Sequence, residues 1–172
     1  KYPVAMTVSV ESPIARSSVD GTWTNGEKVT VQAITKTGDA YNWNDAASYP
    51  YEINNDIPAA STKKETHYWQ RSDETKLMRA WHCADGSTSN TLPDSWSVAA
   101  DQNETGNGYA ESDLLFTATV EVKFGSTADL IFYHQTARII VNIKKTEGID
   151  SADQIQSVKI GDNNLALSGT YT

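Results

Sequence analysis

The chain is poor in the residues that carry most recognisable chemistry. It has one cysteine, Cys83, among 172 residues. One thiol forms neither an internal disulfide nor a multi-cysteine zinc site. It has three histidines, His67, His82 and His134, which fall in different segments without ligand spacing. Basic residues are short against acidic ones, 14 to 22, for a net charge of −8. That balance argues against nucleic acid, which needs a basic stripe, and against an anionic membrane surface. No apolar run approaches the roughly 18 residues of a membrane span. There is no Gly-rich phosphate loop, no nucleophile elbow, no long stretch of helical periodicity and no internal repeat.

The composition is that of a folded globular chain, with 38% hydrophobic and 21% charged residues. Its dominant pattern is a period of two, the mark of strands with one buried face. Tyr2, Val4, Met6, Val8 and Val10 share one parity in the clearest alternation of the chain, which stops at Ser12-Pro13. Glu27 to Ile34 alternates next, with Val29, Val31 and Ala33 inward, after the Asn25-Gly26 turn pair. Tyr49–Ile53 reads as a short extended piece and Asn54–Glu65 as loop. Thr66–Arg71 and Lys76–Cys83 read as two strands of a hairpin, and Trp96–Ala99 as a short strand. Ala118, Val120, Val122 and Phe124 share a parity, then Leu130 and Phe132, then Ile139, Val141 and Ile143. Ile155–Ile160 and Leu165–Tyr171 read as a last pair, after a helical turn at Asp150–Gln154. Many short strands joined by polar loops predict an all-β fold, an antiparallel β-sandwich.

Candidate sites are few. His82 and Cys83 are neighbours on a strand and point to opposite faces, which argues against a nucleophile pair. The acidic loops Asp85–Asn90 and Asp162–Asn164 lack the pattern of a calcium loop and read as solvated turns. Catalytic residues, a metal and a cofactor are therefore not expected. The five tryptophans and eight tyrosines are ordinary filling for a sandwich core. Trp69 and Trp81 are assigned to it, whereas Tyr41 and Trp43, in a polar loop, are the candidates for glycan contact. Lys1 opens directly into a strand pattern, so the chain reads as mature or trimmed, with any targeting signal out of view.

The order of short motifs carries more than any one of them. After the first strand comes Ala15-Arg16-Ser17-Ser18, then W-x-x-G-E-K-V-x-V from Trp23 to Val31 and the pair Tyr68-Trp69. Ala80-Trp81-His82 follows, then Asp101-Gln102-Asn103 and G-Y-x-x-S-D-L-L-F-T-A from Gly108 to Ala118. Last is F-Y-H-Q-T-A-R-I-I-V-N-I-K, from Phe132 to Lys144. Over nearly its whole length the chain resembles the fimbrillin-like (Mfa-like) family of Bacteroidales, the pilins and accessory subunits of type V fimbriae.

The resemblance implies transthyretin-like or Ig-like β-sandwiches, two per member, export as a lipoprotein, and a place on the cell surface, in a fimbrium or anchored to the outer membrane. It implies no enzymatic activity. An arginine-specific protease would remove the N-terminal strand, and a strand of another subunit would fill the groove. Carried onto this chain, that makes Arg16 the processing site, strand 2–11 the removable element, and Val4, Met6, Val8 and Val10 its groove contacts. Residues 1–127 would form the N-terminal β-sandwich. Residues 128–172 would be either the start of a second, incomplete β domain or strands packed on the first. The partners would be other fimbrial subunits, joined by strand addition. The alternative is a glycan-binding adhesin module or fimbrial tip using exposed aromatics.

Overall fold

The computed structural model describes residues 1–11, 22–38, 41–60, 65–83, 92–93, 95–100, 112–136 and 168–170. In chain order the strands are β1 (Tyr2–Pro3), β2 (Met6–Val10), β3 (Lys28–Thr35), β4 (Ala47–Asn54), β5 (Ile57–Ala60) and β6 (Tyr68–Trp69). They continue with β7 (Thr75–Cys83), β8 (Ser95–Ser97), β9 (Leu114–Thr117), β10 (Val120–Lys123), β11 (Ala128–His134) and β12 (Ser168–Thr170). Among the described residues the only helical turn is a 3₁₀ turn at Trp43–Asp45. The fold is all-β, as the alternation predicts.

One large sheet dominates, ordered β2-β11-β9-β7-β3-β4-β5, with β10 also paired to β7. Its neighbours run antiparallel except β11 and β2, which are parallel. Parallel neighbours need a long connection, and these two are far apart in sequence, at Met6–Val10 and Ala128–His134. The sheet curls until its ends meet, where the Val8 N–H donates to the Asp56 carbonyl at 3.0 Å. Two small pairs lie apart from it, β1 with β6 and β12 with β8. Ala128–His134 is an inner strand of the large sheet, between β2 and β9.

The inner face collects the core. Val29, Val31, Ala33, Tyr51, Ile53, Met78, Ala80, Leu115, Val122, Ala128, Leu130 and Phe132 are buried in one cluster with Val4, Met6, Val8 and Trp69. Central strand β3 is covered on both faces, since Thr30 and Gln32 are buried as well. Trp81 is 1% exposed but lies outside that cluster, on the face of β7 opposite Met78 and Ala80. It is paired in register with Thr30 and Phe116.

Several local expectations are corrected. The N-terminal alternation is two strands, broken at Val4-Ala5, and Tyr2 is 70% exposed rather than inward. The segment after Asn54 is a strand, reached through a two-residue turn whose Asn55 and Asp56 both have positive φ, 52° and 59°. Asn and Asp tolerate that region, and a turn with two such residues matches the twist of a hairpin. β6 does not form a hairpin with β7, because the Glu74 carboxylate takes the Gln70 N–H at 2.6 Å and β6 pairs with β1 instead. The strand read from Ala118 begins only at Val120, and Ala118 is exposed. Strands expected at 139–143 and 155–160 and the helical turn at 150–154 lie outside the described residues.

Candidate functional site

The best-defined site is the seat of the N-terminal strand. Val4, Met6 and Val8 are 4%, 6% and 2% exposed, and Val10 is half-buried against the same cluster. One edge of β2 runs along β11 with Met6 opposite Ala128, Thr7 opposite Asp129, Val8 opposite Leu130 and Val10 opposite Phe132. Beyond the ladder, Ala128 N–H donates to the Ala5 carbonyl and Glu11 N–H to that of Phe132, both at 2.8 Å. On the outer face the Thr7 hydroxyl donates to the Asp129 carboxylate. Main chain therefore holds the strand along β11 and, through the Val8–Asp56 bond, at its other edge, and an apolar row fills the interior beneath it.

Val4 marks the change of partner between β1 and β2. Its N–H donates to the His67 carbonyl at 2.9 Å. His67 is buried. Its own N–H donates to the Tyr51 hydroxyl at 2.9 Å, and its Nε2 lies 3.0 Å from the Val31 carbonyl. Facing a carbonyl, Nε2 must carry the hydrogen. Burial pushes the imidazole down to about 4, against the Val31 bond, which favours the charged form. Burial likewise pushes the Tyr51 hydroxyl up to about 12. The ring lies near-parallel to Tyr51 at 6.0 Å and tilted against Tyr49 at 4.9 Å.

A buried ion pair lies below β6. Glu74 and Lys76 side chains are 2% and 9% exposed and meet at 2.7 Å. Glu74 also accepts from the Thr35 hydroxyl and the Gln70 amide, and the Lys76 ammonium sits 5.6 Å over the Trp69 ring. Desolvation alone would raise the Glu74 carboxyl, but the bonds from Lys76, Thr35 and Gln70 outweigh it and hold the group at about 2. Glu74 lies in the four-residue connection between the two strands that the sequence predicts, Thr66–Arg71 and Lys76–Cys83. The available signal was parity, since Lys76 shares the inward face of Met78 and Ala80 and so requires a buried partner. Beside this pair, Thr35, Lys36, Arg71, Asp73 and Glu121 line a cleft of about 360 Å³. Its charges pair with one another, Lys36 with Glu121 at 2.6 Å and Arg71 with Asp73 at 3.1 Å.

The three histidines are not brought together. His82 sits edge-on to Trp23 at 5.4 Å. His134 is partly buried, with Nδ1 at 2.8 Å from Asp113. Among the described residues no three His, Cys, Asp or Glu side chains cluster as a metal site. Tyr41 and Trp43 touch, but their rings are 81° apart, and the Arg79 guanidinium covers the Trp43 ring at 4.2 Å. Gln32 bridges the two, accepting from Arg79 at 2.7 Å and donating to the Trp43 carbonyl at 3.3 Å. A flat stacking platform for a sugar is not formed there. Arg16, the acidic loops at 85–90 and 162–164, and the Cys83 side chain lie outside the described residues.

No curated protein matches the chain. Among solved structures it is similar to a fimbrial protein from Bacteroides ovatus ATCC 8483, at 16% identity and a TM-score of 0.44. That match covers 77% of this chain and 28% of the other. A family model described as fimbrillin-like matches residues 15–172, nearly the whole sequence, and the chain therefore belongs to the fimbrillin-like family.

Proposed function

We propose that the chain is a structural subunit of a surface fimbria and joins its neighbours by β-strand addition. Family membership supports the fimbrial subunit. The observation behind strand addition is the seat of β2, where a short strand buries Val4, Met6 and Val8 while main-chain bonds align it along β11. Such a seat binds by backbone pairing and selects by alternate side-chain pockets. Burying each apolar side chain is worth roughly 1.5–3 kcal/mol before ordering costs, so an uncut strand stays in place. Cleavage after Arg16 would make it exchangeable, and the emptied seat, with β11 as an open edge, would take the strand of another subunit.

Limited trypsin digestion of the folded chain tests this. The first cut should fall after Arg16, and the released strand should stay bound until denaturant or a competing strand displaces it. The emptied body should then form oligomers. Resistance of Arg16 while other basic sites are cut, or a body that stays monomeric once emptied, would overturn the reading.

A further inference from the structure

The seat accepts an apolar strand, but an alternating apolar row does not by itself define where that strand stops. Val4, Met6, Val8 and Val10 are of similar character, and a slip of two residues keeps an apolar row inward. Two features of β11 break the degeneracy. Across the ladder the long Met6 faces the small Ala128, and the shorter Val8 and Val10 face the larger Leu130 and Phe132. On the outer face the Thr7 hydroxyl bonds Asp129, its direct register partner, while the next residue, Ser9, faces the apolar Ile131, 40% exposed.

We infer that Ala128 and Asp129 set the register of whatever strand fills the seat. The partner that fits is a strand of another subunit with a long unbranched apolar residue opposite Ala128 and a serine or threonine immediately after it, opposite Asp129. Apolar residues then face Leu130 and Phe132. This deepens the strand-addition reading and rests on it. A slip that brings Ala5 opposite Asp129 strips the carboxylate of its donor and sets Met6 against Leu130, overfilling that position. The opposite slip brings Ser9 to Asp129 and keeps a hydroxyl there, but it leaves Val8 opposite Ala128 and underfills the interior. Main-chain donors add a second condition. The amides of Val4, Val8 and Glu11 are all engaged, by His67, Asp56 and Phe132, so proline is excluded from those three places.

The test uses the full chain cut after Arg16 and emptied of its strand, with synthetic peptides of residues 1–11 competing against a fluorescent copy. Thr7→Ser should bind within about twofold of the native peptide, and Thr7→Val about tenfold more weakly, the scale of one charge-assisted hydrogen bond. On a body carrying Asp129→Asn the Thr7→Val penalty should shrink, because the charged acceptor is gone. A peptide with Met6 and Val8 exchanged, which keeps composition and hydroxyl, should also lose about tenfold from the packing mismatch. Equal binding of the native and Thr7→Val peptides to the Asp129 body would overturn the inference. So would an undiminished penalty on the Asp129→Asn body. Should that body fail to fold, the exchanged peptide decides, and its equal binding counts against the size rule. Failure of the native peptide to bind the emptied body is a separate result that removes strand addition itself.

Discussion

The carbonyl of His67 receives the amide of Val4 at 2.9 Å, at the point where the N-terminal strand changes partner. The same residue has a ring buried against Tyr49 and Tyr51, with the Lys76 ammonium disfavouring a second positive charge. Acid therefore acts on the segment that holds the strand. In the folded chain His67 takes a proton only near 4, whereas in the unfolded chain it does so near 6.5. Between those values the unfolded state binds more protons, so stability is fully present above about pH 6.5 and is lost as pH falls towards 4, by about 3 kcal/mol at most. His67→Gln should flatten that slope in urea-unfolding series from pH 7 to 4.5. Parallel curves for the two proteins would show that His67 does not govern the window.

The Glu74–Lys76 pair acts at lower pH. Its carboxyl is held at about 2 in the folded chain against 4.5 for the free group. The pair's contribution is thus complete above about pH 4.5 and lost as pH falls to 2. Glu74→Gln leaves the Lys76 ammonium buried without a counter-charge and should cost about 3–5 kcal/mol, much of it recovered by adding Lys76→Met. Chemical denaturation at pH 7 measures both. A loss below about 1 kcal/mol for the single variant would contradict the burial of this pair.

The sequence made the strands legible where one face is apolar and the other polar, as in Met6–Val10 and Ala128–His134. It was misleading where that rule bends. β3 is covered on both faces, so Thr30 and Gln32 are buried despite their polarity. Tyr2 belongs to the alternation but turns out to solvent, because β1 leaves the large sheet to pair with β6. Asn55-Asp56 is a hairpin pair written without glycine, and the polar stretch after it resembles loop, although the left-handed tolerance of both residues is a signal of the turn. The seat of the N-terminal strand was visible as a row of apolar residues. Its partner was not, since no local pattern announces a parallel neighbour so distant in sequence.

Trp81 and Trp69 test the two faces of the fold. Trp69 is 3% exposed within the inner cluster, and Trp81 is 1% exposed on the outer face of β7. Each change to Ala should cost about 3–5 kcal/mol. Because Trp81 lies outside the inner cluster, its loss measures how firmly the outer face of the sheet is covered. A Trp81→Ala protein within about 1 kcal/mol of the parent in urea would mean that this cover contributes little to stability.

Phe124 connects the first residues of the chain to the body. Tyr2 meets it edge-on at 6.0 Å and 83°, and Phe124 in turn meets Trp69 at 5.8 Å and 71°. Since Tyr2 is largely exposed, its worth lies in that one ring contact, about 0.5–1.5 kcal/mol. The contact belongs to the seated strand and vanishes when the strand leaves. In a chain cut after Arg16, Tyr2→Ala should therefore speed release of residues 1–16 by about twofold to tenfold, while the stability of the emptied body stays unchanged. Phe124→Ala should speed release at least as much and also weaken the emptied body, because it removes the Trp69 contact as well. Release is followed by size-exclusion chromatography of the cut protein in mild denaturant. If Tyr2→Ala leaves the release rate unchanged while Phe124→Ala raises it, the ring contact at Tyr2 plays no part in retention, and the strand is held by β2, Val4 and the main-chain pairing of β1 with β6.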